Sequence, residues 1–205
     1  VALAMSASAF ATTIAGWTFE TSVPTTAGPH AAEVGTGAAL GSHTSASAVY
    51  SNPAGNGSIE SFSSNFWSAG DYYQFSTSTL GYSGLVLTFD ATGSNTGPAA
   101  FKVQASTDGV SFSDIGFSYT LTNDTWSVST ANPVSTRSTA LPASLENQAS
   151  IFVRFVQDTD ASINGGTVAT GGTSRIDNVF IASVPEPTTL GLAMASLSFL
   201  LIRRK

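Results

Sequence analysis

The sequence predicts an all-β protein: an antiparallel β-sandwich of jelly-roll type over residues 12–183, followed by a short C-terminal transmembrane helix. Three observations carry this. Short runs with strand-like alternation recur about every 8–15 residues, each bounded by Gly, Pro, Asn or Asp. No long amphipathic helical pattern occurs before residue 184. Charged residues make up only 10% of the chain, while 13 Phe, 5 Tyr and 3 Trp are spread among abundant Ser, Thr, Gly and Ala.

The elements follow in order. Residues 1–11 (Val-Ala-Leu-Ala-Met-Ser-Ala-Ser-Ala-Phe-Ala) read as the remnant of a signal peptide. Ala9-Phe10-Ala11 supplies a small-x-small cleavage pattern and Thr12 the new N-terminus. Ile14–Phe19 is the first strand. Thr21–Ser47 shows little periodicity and reads as a long surface loop with room for a short strand; it holds both histidines, His30 and His43. Val49-Tyr50 precedes a turn cluster at 52–57, and Ile59–Phe62 is a short strand. Asp71–Ser76 alternates, and Leu85–Asp90 places Leu85, Leu87 and Phe89 on one face.

Phe101–Ala105 alternates with Lys102 and Gln104 outward, turns at Thr107-Asp108-Gly109 and returns over Phe112–Tyr119. Trp126–Val128 is a further strand. Asn132–Leu141 is a turn-rich connection, and Leu141–Glu146 can form one helical turn. Ile151–Gln157 gives the strongest strand signal, with Ile151, Val153 and Phe155 inward and Arg154 outward. A Gly-rich polar loop over 158–172 leads to the last strand, Arg175–Ile181.

Composition excludes several functions. With no cysteine there is no disulfide scaffold, thiolate zinc site or thiol catalysis. Net charge is −6, and residues 12–183 hold twelve acids against four bases, Lys102, Arg137, Arg154 and Arg175. Such an acidic domain is a poor nucleic-acid binder. There is no Gly-x-Ser-x-Gly elbow and no His-Glu-x-x-His, and the glutamates Glu20, Glu33, Glu60 and Glu146 are scattered. The chain does not read as an enzyme.

The end of the sequence is its most informative part. Val184-Pro185-Glu186-Pro187 is followed by an uncharged apolar run, Leu190–Ile202, and then Arg203-Arg204-Lys205. The two prolines force an extended segment that a protease could read. As a helix the apolar run covers roughly 20 Å, a short span for a hydrocarbon core of about 30 Å. The basic end stops transfer and stays cytoplasmic. This tripartite stretch resembles the PEP-CTERM sorting signal of bacterial surface and exopolysaccharide-associated proteins. The resemblance implies export, transient anchoring in the membrane by the helix over 190–202, and recognition by an exosortase that cleaves near the Pro-Glu-Pro. The plain alternative is a buried C-terminal core helix with a basic cap.

A second resemblance concerns the domain. Phe101-Lys-Val-Gln-Ala-Ser-Thr-Asp-Gly-Val-Ser-Phe112 resembles a hairpin of galactose-binding-like jelly rolls. Trp17-Thr-Phe-Glu20 and Ile176-Asp-Asn-Val179 are similar to the first and last strands of carbohydrate-binding jelly rolls. In such folds those strands lie side by side, and an acid from each often joins a structural calcium site. The resemblance places Glu20 and Asp177 there as candidate Ca2+ ligands, against the plain reading of two solvated strand-end acids. Asp158 and Asp160, before Asn164-Gly165-Gly166, are a second and less complete acidic pair.

For sugar stacking the candidates are the aromatics near turns: Trp67, Tyr72 and Trp126. For any one of them the alternative is a core ring. The expectation is an exported, non-enzymatic protein of the cell surface or extracellular matrix, whose sandwich binds polysaccharide. The alternatives are an adhesive or structural module with protein partners, and a secreted hydrolase.

Overall fold

Alternation in the sequence becomes alternation in burial. In the computed structural model, which describes residues 11–184, thirteen strands form. They are β1 (Thr12–Trp17), β2 (His30–Ala31), β3 (Val34–Gly35), β4 (Ala38–Ser42), β5 (Tyr50–Ser51), β6 (Phe62–Ser64) and β7 (Tyr72–Thr77). Then come β8 (Leu85–Gly93), β9 (Ala100–Ser106), β10 (Ser113–Thr120), β11 (Thr136–Ala140), β12 (Ile151–Gln157) and β13 (Ser174–Ser183).

All pairings are antiparallel. Seven strands build one sheet in the order β11-β8-β13-β1-β3, with β6 also against β13 and β5 against β6. Six build the other, β10-β9-β12-β7-β4-β2. β1 lies directly beside β13, with Trp17 opposite Val179. The first and last strands are therefore neighbours, as the resemblance implied.

The core fills the space between the sheets. In the six-stranded sheet, Phe101 and Val103 of β9, Ile151, Val153 and Phe155 of β12, and Tyr73 and Phe75 of β7 are all buried. The seven-stranded sheet answers with Trp17, Phe62, Leu85, Leu87, Phe89, Ile176, Val179 and Ile181. Phe155 meets Phe75 edge-on at 5.5 Å and Phe89 at 4.6 Å, bridging the two layers. Each such ring contributes roughly 1.5–3 kcal/mol by burial. That supplies the cohesion a cysteine-free domain needs.

Four expectations need correction and a fifth is narrowed. The stretch 21–47 is not one surface loop, because it holds β2, β3 and β4, and Ala39 is fully buried. Glu33 gathers Thr18, Thr21 and Ser22 onto its carboxylate and folds this stretch against β1. The first strand stops at Trp17, because Phe19 takes φ 60. The connection before Leu141 contains β11, paired with β8 along its whole length. No strand forms at Trp126–Val128; Ser127 makes only an isolated bridge with Thr130. The helical turn expected at 141–146 is a 3-10 turn, Ala143–Leu145.

Among the described residues no helix is long and apolar enough to cross a membrane. The expected signal segment, the helix over 190–202, Pro185, Glu186, Pro187 and the basic end Arg203, Arg204 and Lys205 lie outside the described residues.

Candidate functional site

The outer face of the six-stranded sheet is set by the same period that fills the core. With Val103, Val153 and Phe75 inward, Gln104, Arg154 and Gln74 point out from adjacent strands. Arg154 stands opposite Gln104 on one side and Gln74 on the other, and Gln104 stands opposite Asp114. Arg154 Nε donates to Gln74 Oε1 at 2.8 Å, and Gln104 Nε2 donates to Asp114 Oδ1 at 2.8 Å. A row of four polar side chains thus crosses four strands, a span of roughly 14 Å.

Two half-buried rings flank this row. The Arg154 guanidinium lies 4.0 Å from the Tyr72 ring centroid and 3.5 Å from that of Phe112. Burial lowers the Arg154 pKa from its ordinary value, opposed by Tyr72, but the group stays charged.

Phe112 is held there by its turn. Asp108 accepts the Val110 and Ser111 amides at 2.8 Å each and the Ser106 hydroxyl at 2.7 Å, which keeps its carboxyl well below the usual range. Gly109 has φ +73, and a Cβ there would press on the Phe152 ring. Beside the row, Lys102 Nζ is 3.1 Å from Asp158 and 4.0 Å from Asp114. A shallow groove of about 290 Å³, lined by Ala38, Ser76 and Phe152 among others, continues the face.

Of the three expected stacking residues, the structure puts Tyr72 on this face and the tryptophans elsewhere. Trp67 is 4% exposed, donates Nε1–H to the Ser64 carbonyl at 2.9 Å, and packs edge-on to Tyr73 and Phe101. Trp126 is 6% exposed and donates to Ser135 Oγ at 2.8 Å. Neither offers a ring face to solvent. Parity along the strands already turned Lys102, Gln104 and Arg154 outward. What it could not supply was Phe112, which reaches Arg154 only through the hairpin turn.

The sequence also hid a buried polar chain. Asp71 Oδ2 lies 3.1 Å from His43 Nδ1, and His43 Nε2 lies 3.0 Å from Ser64 Oγ. Ser64 Oγ in turn lies 2.8 Å from the Tyr73 hydroxyl, which donates to the Ser174 carbonyl at 3.0 Å. The connectivity is that of a Ser–His–Asp relay. Yet the His43 and Asp71 side chains are 1% and 2% exposed and Ser64 is sealed under Trp67, so no substrate reaches it. Burial lowers the His43 pKa against the pull of Asp71. The chain cross-links β4, β6, β7 and β13.

The expected calcium ligands divide. Asp177 is fully buried and accepts the Asn56 amide at 2.9 Å, the Ser58 hydroxyl at 2.6 Å and the Asn178 amide at 2.7 Å. Burial still pushes its carboxyl up to about 7, with Asp90 adding to the shift. Asp177 Oδ2, Ser58 Oγ and the Glu60 carbonyl crowd the point where a Cβ on Gly55 would sit, so three oxygens share one cradle. Glu20 accepts the Glu60 amide at 2.8 Å, acting on the same loop from another side. Asp158 pairs with Lys102, and Asp160 accepts the Ala69 amide and Gln157 Nε2. Among the described residues no three His, Cys, Asp or Glu side chains are grouped for a metal. A cation at Gly55 would depend on Asp177, Ser58 and carbonyls.

The expectation for the tail rests on sequence and is met there. Residues 183–205 match the family of PEP-CTERM protein-sorting motifs. The chain carries a PEP-CTERM sorting signal. A signal of this type marks an exported protein. No curated protein matches the chain in sequence.

Among solved structures, the sandwich ahead of the PEP-CTERM motif resembles the CBM22-1 xylan-binding domain of Xyn10C from Paenibacillus barcinonensis. The TM-score is 0.51 at 11% identity, covering 88% of this chain and 99% of that one. It also resembles a part of the chain that carries the CBM22-1 and GH10 modules of xylanase 10B from Clostridium thermocellum, solved with xylohexaose. There the TM-score is 0.50 at 15% identity, over 82% of this chain and 28% of that one. At such identities the likeness is one of fold.

Proposed function

We propose that this protein is exported to the cell surface or extracellular matrix and associates with polysaccharide through the open face of its six-stranded sheet. The observation that carries the reading is the row Gln104–Arg154–Gln74 flanked by the Tyr72 and Phe112 rings. Half-exposed rings offer stacking surface, and the amides offer donors and acceptors to hydroxyls. The role is one of binding and not catalysis: the Ser64–His43–Asp71 chain is sealed, and the carboxylates of the open face are held by Lys102 and Gln104.

On the same reading, residues 190–202 hold the chain in the membrane, with Arg203, Arg204 and Lys205 on the cytoplasmic side. An exosortase then acts at Val184-Pro185-Glu186-Pro187. Calcium is a further part of the proposal. Asp177, Ser58 and the Glu60 carbonyl would hold it, and its charge would neutralise the buried carboxylate and pin residues 52–60 to β13.

The test is retention of the full chain on insoluble or immobilised polysaccharides. Tyr72→Ala and Phe112→Ala should each weaken it about three- to tenfold, with near-ultraviolet circular dichroism unchanged. Retention indifferent to both would remove this face from the reading.

A further inference from the structure

We infer that the polysaccharide bound on this face is acidic, and that Arg154 receives a carboxylate of the ligand. The inference rests on the proposed function above and adds the ligand's chemical class.

Arg154 is unlike the other cation of the face. Lys102 lies within reach of two acids, Asp158 and Asp114. Among the described residues, no carboxylate lies within ion-pair distance of Arg154. Its Nε–H is spent on Gln74, and its terminal nitrogens make no hydrogen bond to any described residue. The Tyr72 and Phe112 rings lie against the guanidinium. A guanidinium set against two rings, fixed in orientation and left with free N–H groups fits a planar bidentate acceptor best, and carboxylate is the common one in sugars.

Gln74 and Gln104 on either side supply contacts to neighbouring hydroxyls. Long-range charge does not recruit such a ligand, since the chain is acidic overall. Recognition is therefore short-ranged and centred on one residue.

The experiment compares retention of the full chain on de-esterified polygalacturonate and on the same polymer fully methyl-esterified. The backbone is shared and only the carboxylate differs. The wild-type protein should favour the de-esterified form about tenfold or more. Arg154→Gln should abolish that preference, lowering retention of the de-esterified polymer to that of the esterified one, and Arg154→Lys should restore only part of it. The wild-type comparison needs no variant, so it stands even where a substitution unfolds the domain.

Equal retention of both polymers, or a preference untouched by Arg154→Gln, overturns the inference while leaving polysaccharide binding in place. Equal Arg154-dependent capture by poly-glutamate overturns it in favour of an acidic protein partner. Failure to retain on these or any neutral polysaccharide overturns the proposed function itself.

Discussion

Glu33→Gln should destabilise the protein at neutral pH and leave it nearly unaffected in acid. Glu33 lies between β2 and β3. It accepts the Thr18 amide at 2.8 Å, the Thr21 hydroxyl at 2.9 Å and the Ser22 amide at 3.1 Å, with the Thr18 hydroxyl and the Thr21 amide beside them. Burial opposes ionisation, but these donors outweigh it and bring the pKa from an ordinary 4.5 down to about 2. At about 1.4 kcal/mol per unit, the ceiling on the stabilisation is roughly 3 kcal/mol. Screening at a half-buried site reduces it to about 1–2 kcal/mol.

The sign follows from linkage. The folded-state pKa is depressed, so the stabilisation is complete above about pH 4.5 and is lost as pH falls towards 2. Urea titrations of both proteins at pH 7, 4 and 2 measure it, because the difference between them cancels every other titrating group. The gap should be about 1–2 kcal/mol at pH 7 and close at the acid end. A gap of the same size at pH 7 and pH 2, or none at pH 7, would refute the argument.

Two further predictions follow from buried groups. Trp67→Ala should cost about 3–5 kcal/mol, visible as a large drop in melting temperature, because Trp67 packs on His43, Tyr73 and Phe101; an unchanged melt would return it to the surface. Asp177 has its pKa raised to about 7 by burial, so without metal its contribution to stability should fall as pH rises from about 4 through 7. Added calcium at pH 8 should raise the midpoint of the wild type and leave Asp177→Asn unmoved. A wild-type midpoint indifferent to calcium and to EDTA removes the metal from the Gly55 cradle.

Strands that put large rings on one side and polar groups on the other were plain in the sequence. β9 up to Ala105, β12 up to Phe155 and the first half of β8 follow the alternation, because large apolar residues alternate there with polar or outward-facing ones. β4 was lost because Ala-Ala-Leu-Gly-Ser buries small residues that carry little hydrophobic contrast. β11 was lost for the opposite reason: Thr-Arg-Ser-Thr-Ala buries almost nothing and is held by its ladder with β8.

The site was legible in part. Tyr72 was found, but the tryptophans looked equally available because a turn in the sequence says nothing about what folds over it. Ser135 and the Ser64 carbonyl draw the two indoles inward. His43 and Asp71 are 28 positions apart, and no local pattern announces their contact.

The adjacency of β1 and β13 bears on how the domain is completed. Thr12 pairs with Ser183, the first residue of the matched sorting motif, so the seven-stranded sheet closes only with the residues that run up to it. Without those residues, β1 and β8 lack the neighbour that lies between them. The six-stranded sheet has no such dependence, since all its members lie upstream of β13. Joining the two ends of the domain is therefore what completes the sandwich, and removing β13 would open one layer and spare the other.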